Sequence, residues 1–115
     1  MLKEVRIKDK VLSVPIIQGG MGVGVSLSSL AGSVMKEGAM GVISAAHPGY
    51  RKPDFNKNSL KCNIEAIIEE AKKAREISGG NGLLGVNIMV ASKGYAEYVK
   101  AAVKAKVDAI ISGAG

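Results

Sequence analysis

Pro15-Ile16-Ile17-Gln18-Gly19-Gly20-Met21-Gly22-Val23-Gly24 is a short apolar run that ends in four glycines within six positions. Glycine adopts backbone angles closed to other residues and lets a neighbouring group approach the main chain closely. A strand that opens into such a loop, just before a helical pattern, points to a flat or anionic ligand resting on backbone. The alternative is a plain tight strand-to-helix turn, which is glycine's commonest employment.

Working outward, residues 14–17 read as a short buried strand, with Pro15 acceptable near its start. Before it, residues 2–13 alternate weakly around Asp9-Lys10, as a small hairpin or an extended lead-in would. After the glycines, Ser26 is a candidate N-cap. Leu27, Leu30, Ala31, Val34 and Met35 then follow at helical spacing, and Gly38 ends the helix. Residues 40–44 form a second apolar strand.

Residues 45–61 form a long loop holding His47 and Phe55, punctuated by Pro48-Gly49 and Pro53-Asp54. Asn63 is expected to cap a second helix, in which Ile64, Ile67, Ile68, Ala71 and Ile77 share a face. Gly79-Gly80-Asn81-Gly82 stops it. Residues 83–90 make a third strand, 95–106 a third helix (Tyr95, Val99, Ala102 and Val103 inward), and 108–112 a fourth strand.

The order β-α-β-α-β-α-β, with strands apolar throughout, implies a parallel sheet covered by helices and joined by right-handed crossovers. Either an open doubly wound sheet or part of a (β/α)8 barrel satisfies it. With 115 residues, 47% hydrophobic and 23% charged, the chain is one globular domain's worth. The single cysteine, Cys62, excludes an internal disulfide and is read as a small packed residue in a reducing compartment. The N-terminus has no apolar signal region, and no run reaches the ~18 apolar residues that a membrane span needs. A cytoplasmic protein without membrane contact is expected. The net charge of +6 is spread among Glu residues and lacks interleaved aromatics, which argues against nucleic acid.

Two nucleotide readings fail on residues. A Rossmann fingerprint would require glycine at position 25, which is Val25, and the second strand ends in Ser44-Ala45-Ala46 without an acid. The G-K-[ST] of a Walker loop is absent. A barrel gathers its ligand at the carboxyl ends of its strands. Here those ends read Gln18-Gly19-Gly20-Met21-Gly22, Ser44-Ala45-Ala46-His47, Asn87-Ile88-Met89 and Ser112-Gly113-Ala114-Gly115. Small and amide-bearing residues without clustered charge suit a planar heterocycle such as a flavin. Asn87 interrupts an apolar strand where a barrel ligand would lie; the alternative is a buried amide serving its own neighbours.

Pro15–Gly22 (PIIQGGMG), Leu30-Ala31-Gly32-Ser33-Val34 with Glu37-Gly38-Ala39-Met40-Gly41-Val42-Ile43, Gly85-Val86-Asn87-Ile88-Met89 and Ile111-Ser112-Gly113-Ala114-Gly115 occur in this order. The set resembles the FMN-dependent nitronate monooxygenases (2-nitropropane dioxygenases) and equally their relatives, the FMN-dependent enoyl-acyl carrier protein reductases. The resemblance implies the N-terminal part of a (β/α)8 TIM barrel over residues 1–115, with a flavin-dependent oxidoreductase as the whole protein. It implies FMN held by Gln18, Gly19, Gly20, Met21, Gly22, Asn87, Ser112 and Gly113. NAD(P)H enters only under the reductase alternative. The substrate would be a nitronate, or an enoyl thioester on a carrier protein, and a homodimer is allowed.

A barrel needs about 250 residues. The chain is therefore expected to be a truncated piece, inactive by itself, without the family's phosphate site or its catalytic histidine. That leaves no catalytic residue and no metal ligand to assign here. His47, the only histidine, is read as a structural or solvated loop residue, with general acid-base work as the alternative. Tyr50, Arg51 and Lys52 are read as solvent-exposed rather than as a clamp for an anionic substrate tail. A non-catalytic barrel fragment is the reading from another class.

Overall fold

The computed structural model describes residues 2–115; Met1, part of the N-terminal stretch read above, lies outside the described residues. Two short strands open the chain, β1 (Val5–Ile7) and β2 (Lys10–Leu12), paired antiparallel with Ile7 opposite Lys10. Then come α1 (Ser28–Lys36), β3 (Met40–Ser44), α2 (Ser59–Ser78), β4 (Leu83–Met89), α3 (Tyr95–Lys104) and β5 (Ala109–Gly113). The three later strands form a parallel sheet in the order β3-β4-β5. A radius of gyration of 13.6 Å is that of a compact domain of this length.

The first expected strand is only partly realised. Residues 14–18 run parallel to β3 through a single bridge, Ile17 to Met40. The Gln18 N–H donates to the Met40 carbonyl and the Met40 N–H to the Ile16 carbonyl. The glycines then turn the backbone away, and the Gln18 side chain continues the ladder in its place. Its Oε1 accepts the Val42 N–H at 2.9 Å and its Nε2 donates to the Val42 carbonyl at 3.2 Å. The four segments thus lie side by side in chain order.

Period-two alternation gives the sheet two different faces. Ile43, Leu84, Val86 and Ile88 point toward the helices and pack with Ala31, Met35, Ile67, Ala71, Ala74 and Ala102. Alanine dominates the helix faces, so helices and sheet approach closely without aromatic filler. Met40, Val42 and Leu83 point the other way and are closed off by Leu12 of the hairpin. Asp108 fastens that end. Its Oδ2 accepts the Leu84 N–H at 2.8 Å, and its Oδ1 lies 3.1 Å from Lys10 Nζ.

Two expected caps do other work. Ser26 is not the N-cap of α1: that position is Leu27, and the Ser26 hydroxyl reaches back into the glycine loop. Asn63 does not start α2, which begins a turn earlier at Ser59, and lies 1% exposed inside it. Its Oδ1 accepts the Gly49 N–H at 3.0 Å, and its Nδ2 donates to the Tyr98 hydroxyl at 2.9 Å. A polar residue at helix start spacing was thus a core bridge to α3 and the preceding loop. Val103, expected inward, is exposed, and Tyr98 takes its place in the core. Ile77 is also exposed. No helix among the described residues is long and apolar enough to cross a membrane.

Candidate functional site

Beyond Met40 and Val42, the sheet face opposite the helices continues to the carboxyl ends of the strands. Parallel register there sets Ser44 beside Asn87 and Met89 beside Gly113. The glycine loop folds over this end of the sheet. Gly20 is buried so closely against β3 that an added Cβ would collide with Val42 Cγ1, and Gly22 has φ +78, a conformation that favours glycine.

The loop is braced from both sides. The Met21 N–H donates to Ser26 Oγ at 3.0 Å, and that hydroxyl lies 3.3 Å from the Gly19 carbonyl. From across the sheet, Asn87 Nδ2 donates to the Gly20 carbonyl at 2.8 Å. Asn87 Oδ1 has no hydrogen-bond partner among the described residues and remains available as an acceptor.

These residues enclose a cleft of about 190 Å³, bordered by Gly20, Met21, Gly22, Asn87, Met89 and Gly113. Ser44, Ala46 and Ala114 complete it, and no charged side chain lines it. Met21 and Met89 are both at least half-exposed, offering polarizable apolar surface at its mouth. An added Cβ at Gly113 would meet nothing within 4 Å, so that side is open.

Of the expected cofactor residues, Gly20, Met21, Gly22, Asn87 and Gly113 come together at this cleft. Gln18 and Gly19 stand behind it as braces, the Gln18 amide being spent on Val42, Ser26 and Gly19. The Ser112 side chain lies apart from the cleft. It shares register with Ile88, on the helix side of the sheet, and its hydroxyl meets Tyr95 Oη at 2.8 Å. Period-two counting from Asn87 selects Met89 and, across the register, Gly113, and leaves out Ser112.

His47 is exposed and adopts φ 48 in the loop after β3; Ala114, after β5, has φ 57. Such angles cost a non-glycine residue about 1–2 kcal/mol. His47 stands edge-on to Phe55 with ring centroids 5.5 Å apart and does not line the glycine cleft. Arg51 lies over the Tyr50 ring at 5.1 Å, and Lys52 pairs with Glu69 at 3.0 Å and Glu65 at 3.6 Å, so both cations are engaged locally. The Glu69 hydrogen bond raises the Lys52 pKa.

Cys62 is 1% exposed, and its thiol donates to Asp54 Oδ1 at 3.3 Å. Burial pushes the thiol pKa up, with the Asp54 carboxylate adding to it, and the same hydrogen bond lowers Asp54. Among the described residues no three His, Cys, Asp or Glu side chains are grouped to hold a metal ion. Compared with known proteins, the chain matches no family model and no curated protein.

Proposed function

We propose that this chain is the N-terminal portion of a (β/α)8 barrel and that its glycine cleft holds the ring of FMN in a flavin-dependent oxidoreductase. The observation that carries the reading is the bond from Asn87 Nδ2 to the Gly20 carbonyl, which joins the glycine loop to the end of β4 at one cleft. The chain-order arrangement of residues 14–18, β3, β4 and β5, with helices on one face, supports the barrel.

The residues present fit a flavin ring. The cleft is uncharged, flanked by two methionines, and offers the open Asn87 Oδ1 to a ring N–H. The Gly20 and Gly22 N–H groups donate to no protein acceptor among the described residues, so main-chain donors remain for ring acceptors. Gly20, Met21 and Gly22 would form one wall, and Asn87 would fix the ring's orientation while locking that wall. When bound, FMN supplies the electron-transfer chemistry, and the protein's contribution is to position it and exclude competing reactions.

The preferred activity is oxidation of alkyl nitronates with O2, as the family resemblance implies, in a cytoplasmic protein. The second reading is NAD(P)H-dependent reduction of an enoyl thioester on a carrier protein. The long segment between β3 and α2 adds bulk near the cleft without an evident carrier-docking patch, which favours the first. Titration of the chain with FMN, read by flavin fluorescence, tests the cofactor. In the whole protein, nitronate-dependent oxygen uptake and enoyl-thioester-dependent NAD(P)H oxidation then separate the two activities. A chain that takes up no FMN is assigned instead to the non-catalytic barrel fragment.

A further inference from the structure

A second cavity, of about 520 Å³, adjoins the glycine cleft and shares Ala46 and Met89 with it. It lies between the loop after β3, the start of α2 and the start of α3, and its volume falls in the usual range for small-molecule sites. Ala46, Leu60 and Met89 make its walls apolar. Its titratable groups are His47, Lys93 and Tyr98.

Tyr98 gives the cavity a chemical preference. The Gly49 N–H can only donate, so the atom of Asn63 that it meets must be the carbonyl oxygen. The Asn63 amide nitrogen therefore faces Tyr98 and donates to its oxygen. The Tyr98 O–H proton is left without an acceptor among the described residues, on a side chain only 8% exposed. A hydroxyl on so enclosed a side chain gains from an acceptor. Lys93 forms no ion pair among the described residues. One buried hydroxyl donor and one ammonium, bordering aliphatic walls, match an anionic oxygen head on an aliphatic body.

We propose that this cavity binds an aliphatic monocarboxylate, its head group at Tyr98 and Lys93 and its chain against Leu60, Ala46 and Met89. The site goes beyond the flavin reading and stands without it. Its test is calorimetric titration of the 115-residue chain, free of flavin, with decanoate, decanol and acetate. Saturable one-to-one binding of decanoate is expected, with decanol and acetate each weaker by about tenfold or more, since each lacks one half of the recognition.

Lys93→Gln, at an exposed position, should weaken decanoate by about fivefold to tenfold and leave decanol unchanged. Tyr98→Phe should weaken decanoate as well, with its thermal melt read alongside because Asn63 also loses its acceptor. If Tyr98→Phe does not fold, Lys93→Gln decides. Absence of saturable decanoate binding, equal affinity for decanol, or an unchanged affinity in Lys93→Gln overturns the proposal. Decanoate binding by a chain that takes up no FMN leaves this site standing and removes the flavin reading; the reverse result removes this site alone.

Discussion

Asn87 Nδ2 lies 2.8 Å from the carbonyl oxygen of Gly20, a residue 67 positions earlier in the chain. The bond ties the loop after residues 14–18 to the end of β4, across β3, and leaves the acceptor Oδ1 free on a residue that borders a cleft. One amide therefore has two tasks, bracing the loop and presenting an acceptor. Asn87→Ala should release the loop and weaken FMN binding by about tenfold or more, because a buried carbonyl and a ligand donor both lose a partner. Fluorescence titration measures it, and unchanged affinity would remove Asn87 from the site.

Gly20 is required by shape. A Cβ there would collide with Val42 Cγ1, backed by the Val42 main chain. Gly20→Ala should cost about 1–3 kcal/mol of stability, the usual scale for overpacking. Pairing it with Val42→Ala should recover part of that loss, since the two residues touch. Urea unfolding of the two single variants and the double variant gives the coupling; strict additivity would contradict the contact.

Asn63 joins three elements from inside α2. Asn63→Ala orphans the Gly49 N–H and takes the donor from Tyr98, so a loss of about 2–4 kcal/mol is expected from two broken buried bonds. Asn63→Asp keeps the acceptor for Gly49 and, once protonated at acidic pH, also an O–H donor for Tyr98, so there it should lie between wild type and Asn63→Ala. Thermal unfolding of both variants checks the order.

The Cys62–Asp54 contact sets opposite pH responses. Asp54 has a lowered folded pKa, so its contribution is present above the ordinary carboxylate range and is lost as pH falls through the depressed value. Cys62 has a raised folded pKa; its contribution is full below the ordinary thiol value and is lost as pH rises through the raised one. Cys62→Ala should therefore flatten both the acidic and the alkaline edges of the stability profile, measured by urea midpoints from acid to alkaline pH. Edges identical to wild type would show that the pair does not set them.

Much of the fold was legible because apolar strands and alanine-rich helical faces are strong local signals. β3, β4, β5 and all three helices lie where their periodicity put them, within a few residues at the ends. What failed were the cap assignments that depended on a distant partner. Asn63 and Ser26 carry the side chains of helix caps, but Gly49, Tyr98 and the glycine loop claim them instead. Residues 14–17 look like a strand, yet Gln18 supplies with its side chain the bonds that a longer backbone ladder would have made.

The same division runs through the site. Glycines and an interrupting Asn87 announce themselves in sequence. A strand-end motif read as a continuous run does not separate Gly113 from Ser112, because alternate residues face opposite layers. The larger cavity had no signal, since Leu60, Lys93 and Tyr98 come from separate elements that only packing brings together.

The central claim is that the glycine cleft receives a flavin ring. Its most direct measurement is an ¹H–¹⁵N correlation titration of the chain with lumiflavin, the ring system without a phosphate tail. The account predicts saturable shifts in the Gly20 and Gly22 backbone amides and in the Asn87 side-chain amide, with FMN matching lumiflavin in affinity, since no charged group lines the cleft. Resonances of those three residues that stay fixed while lumiflavin reaches millimolar concentration would contradict it.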